Sequence, residues 1–333
     1  LQQSIRDLET AYSNFFNSIK GKRKGIKVKP PKFKRRRGYQ TARFTNNAFK
    51  VLQDKVYLPK IGQLEIIWSR DLPSVPTSVT VIKDAANRYF LSFLVEINPT
   101  QLPDNGKSVG IDLGITDFAT LSTGEKVKAP KPLKKYLRKL KRLQKNLSRK
   151  TKGSKRREIA RLKVAKLHAK IADTRNDFLH KLSTKIVNEN QVIVLEDLAV
   201  SNMIKNRQLS RAISDLGWRT FRDMLSAKSE IYGREFRIIN RYEPTSQRCS
   251  SCQQIGGKKA LNVREWTCLY CRDVHDRDIN ASKNILNTRN ITKVAVGQTE
   301  TLNGHRGNVR LESNQAVPRE VSTTFKATQL KLF

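Results

Sequence analysis

The residues best suited to chemistry in this chain are four cysteines and three acids. The cysteines form two C-x-x-C pairs, Cys249-Ser250-Ser251-Cys252 and Cys268-Leu269-Tyr270-Cys271, with fifteen residues between them and no further cysteine in the sequence. That interval is the spacing of a four-cysteine zinc ribbon. Each C-x-x-C suits a tight knuckle whose two thiolates take adjacent corners of a tetrahedron around Zn²⁺. Disulfide pairing is the competing reading, but it belongs to oxidising compartments, and nothing else in the sequence signals secretion.

The acids occupy a different context. Asp112 stands alone among hydrophobes in Ser108-Val109-Gly110-Ile111-Asp112-Leu113-Gly114, and Glu196 closes the apolar run Val192-Ile193-Val194-Leu195. Asp278 lies seven residues past the last cysteine, in Asp276-Arg277-Asp278-Ile279-Asn280-Ala281, where a helix is expected to start. A carboxylate on an apolar strand needs a cation or partner at the strand's edge. Two such acids plus a third opening a helix make a carboxylate cage for Mg²⁺, a hard ion that takes oxygen ligands. Two ions held this way clamp the attacking water and the leaving oxygen of a phosphodiester.

Neighbouring polar residues receive other readings. Asp117 follows the end of the Asp112 strand and reads as a turn acid. Asp276 lies one side-chain alternation from Asp278 and reads as a cap or a partner of Arg277, whereas Asp278 gains the support of a helix N-terminus. His180, beside Phe178 and Leu182, reads as a packed, hydrogen-bonded residue. His275 adjoins Asp276, but metal-activated water needs no histidine. Trp266 is expected to pack over the zinc site, with Lys258, Lys259 and Arg264 placed to touch DNA.

Taken in order, G-I-D-L-G, V-L-E-D-L, C-S-S-C with C-L-Y-C, and D-R-D-I-N-A-S-K-N-I resemble the TnpB (OrfB) family. These are transposon-associated, RNA-guided DNA endonucleases with a RuvC-type nuclease core, similar to the type V CRISPR effectors. The resemblance covers most of the chain and places the ribbon between the second and third acids. It implies an α/β, RNase H-like (RuvC) core with an inserted four-cysteine zinc ribbon, a partial β-rich wedge domain and helical recognition segments. It also implies that Asp112, Glu196 and Asp278 are the catalytic Mg²⁺ ligands and that Cys249, Cys252, Cys268 and Cys271 take the structural Zn²⁺ positions. Its partners would be a guide RNA from the transposon end and a double-stranded DNA target, in a bacterial cytoplasm beside the nucleoid. Family members carry further residues before the point where this sequence begins, so an N-terminally incomplete copy is expected. Two rival classes remain: a non-catalytic nucleic-acid-binding accessory protein, and a cut-and-paste transposase, which the position of the ribbon disfavours.

Charge supports a polyanionic partner. The 333 residues include 66 Lys and Arg against 29 Asp and Glu, a net charge of +37. Such a surplus repels itself, and phosphate backbones neutralise it with release of condensed counterions. No apolar run approaches the roughly 20 residues of a membrane-spanning helix, and no signal peptide is visible.

The elements that must position the site follow from periodicity. Residues 1–49 read as a partial recognition helix (Leu1 to Ile19) and a basic arm, GKRKGIKVKPPKFKRRR. Residues 50–98 read as the partial wedge, with strands at Gln63–Trp68, Ser78–Ile82 and Tyr89–Val95 around a turn at Asp84–Asn87. A linker at Asn98–Lys107 leads into the nuclease core, 107–248, where Phe118–Leu121 suggests a hairpin. Within the core, residues 126–170 carry 20 basic side chains and one acid, Glu158. Their leucine stripe predicts a helical hairpin, apolar on one side and basic on the other. Ala199–Ser214 reads as a polar loop over the site, Trp218–Tyr232 as a helix and Phe236–Asn240 as a strand. The ribbon spans 249–271, the last nuclease motif 272–290, and a disordered tail 291–333.

Overall fold

Alternation in Ser108–Asp112 and Val192–Glu196 sets the architecture: each strand sends successive residues to opposite faces of one sheet, and both faces are covered. The computed structural model of the chain describes residues 2–33, 38–98, 101–260, 262–288, 291–293 and 328–330. It divides into two compact units, the first comprising Leu1–Asn98, Lys152–Lys166 and Glu300–Phe333, the second Pro99–Thr151 and Leu167–Thr299.

The first unit opens with α1 (Gln2–Ile19), followed by β1 (Gln40–Thr45), β2 (Lys50–Val51), β3 (Lys55–Leu58), β4 (Gly62–Glu65), β5 (Ser78–Lys83) and β6 (Tyr89–Leu94). β1, β5 and β6 are neighbours in an antiparallel sheet, and β2, β3 and β4 form a smaller one. Their shared core contains Phe49, Val56, Leu58, Val79 and Leu91, with Trp68 stacked on Phe93. The turn at Asp84–Asn87 is fixed by Asp84, whose Oδ1 accepts from the backbone N–H groups of Ala86 and Arg88. Two expectations need correction. The strand expected over Gln63–Trp68 ends at Glu65, and the end of the basic arm, Gln40–Arg43, is not an arm but part of β1, paired with β5.

The second unit is built on a six-stranded sheet. Its elements are β7 (Ser108–Asp112), β8 (Ala119–Leu121), β9 (Lys126–Val127), α2 (Pro132–Ser148), α3 (Lys155–Glu189), β10 (Val192–Glu196), α4 (Val200–Met203), α5 (Ser210–Leu216), α6 (Trp218–Tyr232), β11 (Glu235–Ile239), β12 (Glu265–Thr267), β13 (Val274–Asp276), α7 (Arg277–Asn287) and β14 (Ile291–Lys293). The sheet order is β14-β11-β10-β7-β8-β9. β7, β10 and β11 run parallel, while β8, β9 and β14 are antiparallel to their neighbours. One face packs Val109, Ile111, Ile193 and Leu195 against Leu179, Leu182 and Ile186 of α3 and Phe221 and Leu225 of α6. The other face packs Val194 and Ile239 against Ile285 of α7. A last short strand, β15 (Thr328–Leu330), pairs with β6.

Several expectations shift here. The second helix of the basic hairpin, α3, runs unbroken from Lys155 to Glu189, and Lys152–Lys166 groups with the first unit. Ala199–Ser214 is not a loop, because α4 and most of α5 fall within it and α5 buries Ile213 and Leu216. Of the expected disordered tail, residues 291–293 form β14 and 328–330 form β15, while the rest lies outside the described residues.

Candidate functional site

The carboxylates are placed by strand alternation. Gly110 and Asp112 share one face of β7, and Val192, Val194 and Glu196 share one face of β10. Val194 packs against α7, and a Cβ built on Gly110 would meet Ser282 O at 2.2 Å and Leu286 N at 2.7 Å, so this is the face that α7 covers. The parallel register pairs Ile111 with Leu195, which puts Asp112 and Glu196 side by side at the C-terminal ends of neighbouring strands. Asp278 lies in the first turn of α7, one helical turn before Ser282. It therefore sits above the end of β7 that carries Asp112. Glycine at 110 lets the helix approach this closely.

Electrostatics records the crowding. Burial, joined by the negative charges of Glu196 and Asp278, pushes the Asp112 carboxyl up to about 8, against an opposing pull from Arg277. Burial and then Asp197 raise Glu196. A buried acid raised by two neighbouring carboxylates is one whose charged form a bound cation would favour. The three side chains do not bring one oxygen each within 4.8 Å of one another, a spacing that the four thiols do reach.

The neighbouring charges are accounted for. Asp276 is the N-cap of α7: its Oδ1 accepts from the N–H groups of Asp278 and Ile279, each at 3.0 Å. The capping role expected of Asp276 is therefore met, while its Oδ2 pairs with Lys126 Nζ at 2.6 Å rather than with Arg277. Although burial pushes Asp276 up, the Lys126 bond and the helix N–H groups hold it below the ordinary carboxylate range. Arg264 reaches Asp278 Oδ2 at 3.5 Å. Asp197 is held by Arg222 at 3.0 Å and Arg241 at 2.6 Å, so the acid next to Glu196 has cation partners of its own. His180 is exposed on α3 rather than packed.

The cysteines converge as their spacing requires. All four sulfurs lie within 4.8 Å of one another, with Cys249 and Cys271 3.6 Å apart and Cys252 and Cys268 3.7 Å apart. These separations exclude disulfides, whose S–S length is about 2 Å. They match the edge of a tetrahedron with metal–sulfur bonds of about 2.3 Å, the length for Zn²⁺. The backbone N–H of Cys271 helps pull the Cys268 thiol down to about 6. Despite the Asp273 N–H aimed at its sulfur, burial and the neighbouring thiols push Cys271 up to about 12. Four thiols in one pocket do not all ionise without a cation, so the cluster can hold a metal such as zinc. Trp266 packs on Cys249 and Cys268. Lys259 lies 3.5 Å above the Trp266 ring, so this lysine covers the ribbon's core.

Three positioning features escaped the sequence reading. Asn280 and Asn284, one turn apart on α7, are almost fully buried. Asn280 Oδ1 accepts from Ser250 N at 2.8 Å, and its Nδ2 donates to Arg248 O at 2.8 Å. Asn284 Nδ2 donates to Thr245 O at 2.8 Å and Arg248 O at 2.7 Å. These amides tie the first cysteine knuckle to the helix that carries Asp278. Buried Asp215 of α5 accepts from Leu133 N and Lys134 N at 3.0 and 3.1 Å, capping basic α2 from a distant point in the sequence. The i, i+4 spacing of the asparagines was a visible signal; the Asp215 contact had none.

Comparison with known proteins identifies the family. Residues 92–207 match the OrfB_IS605 family, described as a probable transposase, and residues 218–285 match the Cas12f1-like TNB domain. A Streptomyces pristinaespiralis protein named as an RNA-guided DNA endonuclease is 48% identical over 290 residues, covering 86% of this chain and 70% of that protein. InsQ of Escherichia coli K12, with the same kind of name, is 33% identical over 304 residues, covering 86% and 73%. A solved structure, the Cas12f1–sgRNA–target DNA complex, aligns with a TM-score of 0.41 at 16% identity, covering 83% and 76% of the two chains. With relatives this similar across most of its length, the chain belongs to the TnpB (OrfB) family.

Proposed function

We propose that this protein is an RNA-guided, Mg²⁺-dependent DNA endonuclease with an RNase H-like, RuvC-type core, cutting at Asp112, Glu196 and Asp278. The observation that carries the reading is that two strand-end acids lie on the sheet face α7 covers, with Asp278 in the first turn of that helix. The strand order, with an antiparallel β9-β8-β7 meander continued by parallel β10 and β11, supports the fold assignment.

The donor set is all oxygen, which suits Mg²⁺. Asp112, Glu196 and Asp278 would hold the ion or ions between them. Bound there, Mg²⁺ supplies an activated water and charge stabilisation at the leaving oxygen. Asp112 would serve as a ligand in its carboxylate form, with Glu196 and Asp278 supplying the other protein oxygens. Asp276 keeps α7 capped and Lys126 keeps Asp276 from competing for the ion. Cys249, Cys252, Cys268 and Cys271 would hold Zn²⁺, which supplies a fixed tetrahedral anchor for the ribbon. The remaining positive charge, including the single-signed face of α2, binds guide RNA and DNA through phosphate contacts.

The test is to purify the protein from cells, sequence the RNA that accompanies it and offer DNA matched to that RNA with Mg²⁺. A discrete transposon-end transcript and cleavage of matched DNA are expected. Random cellular RNA with no cleavage would make the protein a nucleic-acid-binding accessory instead.

A further inference from the structure

The four-cysteine centre and the acid centre are joined by a short stretch of chain, and one side chain in it faces the sulfurs. His275 lies on β13, opposite Trp266 of β12 in the antiparallel register. It is buried, its ring centroid is 4.9 Å from that of Trp266, and its Nε2 stands 3.0 Å from Cys249 Sγ. A metal-bound Cys249 is a thiolate and only accepts hydrogen bonds, so the imidazole must present Nε2–H to it. The next residue, Asp276, caps α7 through Asp278 N and Ile279 N and is braced by Lys126. From the other side, Asn280 and Asn284 of the same helix grip the backbone that leads into Cys249. The first knuckle is therefore held twice by one continuous segment, 275–284, through its thiolate and through its backbone.

We propose that His275 is a positioning residue that donates Nε2–H to the Cys249 thiolate and so locks the metal-bound ribbon to the helix presenting Asp278. The proposal rests on the nuclease reading for its catalytic consequence and on geometry alone for the hydrogen bond. With the bond made, β13 is pinned between Cys249 and Trp266, and the Asp276 cap fixes the start of α7 over Asp112. Without it, β13 loses its attachment to the metal centre and the first turn of α7 loses its brace. His275 serves as a partner of Cys249 rather than a ligand, because the four thiols by themselves lie within 4.8 Å of one another and supply the four ligands a structural Zn²⁺ takes, although His275 also lies that close to Cys271 and Asp273.

The experiment uses the full chain with its copurified RNA, as wild type, His275→Ala and His275→Gln, each loaded with Zn²⁺ or Co²⁺. Both variants are expected to retain one equivalent of Zn²⁺. In the Co²⁺ forms the thiolate charge-transfer band moves to lower energy for His275→Ala, as one thiolate loses its donor. His275→Gln, which keeps an N–H donor, moves it back toward wild type. Cleavage falls about 10–100-fold in His275→Ala, the usual effect of losing such a partner, with DNA binding unchanged and partial recovery in His275→Gln. An unchanged band in His275→Ala, or loss of Zn²⁺ from a folded variant, overturns the proposal. An Asp112→Asn control separates the two levels: cleavage by that control sinks the nuclease reading, while the Co²⁺ band still judges the hydrogen bond.

Discussion

Gly110 and Ser282 meet at the limit of backbone approach: a Cβ on residue 110 would lie 2.2 Å from the Ser282 carbonyl oxygen. The obstructing atoms are helix backbone and cannot rotate away, so α7 itself would have to move. Gly110→Ala is expected to destabilise the protein by about 1–3 kcal/mol, the usual cost of overpacking. It also lifts Asp278 from Asp112, so cleavage should drop sharply at temperatures where the variant is still folded. Thermal melting together with a cleavage assay checks both effects.

Asp112 makes stability depend on pH. Its folded-state value of about 8 lies above the ordinary 3.8, so the native state holds a proton that the unfolded state releases. In Mg²⁺-free buffer its contribution to stability therefore falls as pH rises from about 4 to about 8 and then levels off. Asp112→Asn removes this loss, so its melting temperature should pull ahead of wild type across that window. Mg²⁺ must displace the same proton, so its binding should tighten with pH below about 8. Melting curves and Mg²⁺ titrations at several pH values measure both.

Asn280 and Asn284 give a third expectation. Thr245 O and Arg248 O each accept from both amides, so the double Ala replacement removes these donors together, while Asn280→Ala alone leaves Ser250 N without its acceptor, a loss of about 1–3 kcal/mol. The pair should weaken the grip on the first cysteine knuckle, read as faster loss of Zn²⁺ to a chelator.

Asp215 controls one end of the basic helix α2. Asp215→Ala removes the acceptor for Leu133 N and Lys134 N, costing about 0.5–2 kcal/mol as capping losses do. Hydrogen exchange at those two amides should quicken, and affinity for nucleic acid should fall modestly.

Much of this layout was legible in the sequence because it depends on local pattern. A lone acid in an apolar strand, paired C-x-x-C knuckles and an acid opening a helix are each visible within about ten residues. What stayed hidden depends on partners far apart in sequence. The Lys126–Asp276 pair spans 150 residues, and no local signal links Asp215 to Leu133. His180 was misread because Phe178 and Leu182 beside it face the core, while its own position on α3 turns outward. Ala199–Ser214 was misread because its polar residues masked Ile213, which is buried on α5. β1 was obscured by the lysine and arginine run before it, and burial along Gln40–Thr45 does not alternate.

The central claim is that Asp112, Glu196 and Asp278 act together on one phosphodiester. The most direct measurement compares guided DNA cleavage and DNA binding for wild type and for Asp112→Asn, Glu196→Gln and Asp278→Asn, each purified with its RNA and supplied with Mg²⁺. The expected result is a loss of cleavage of at least about 10³-fold in every variant, since each removes a metal ligand, with binding retained. Cleavage at the wild-type rate in any one of the three would contradict the account.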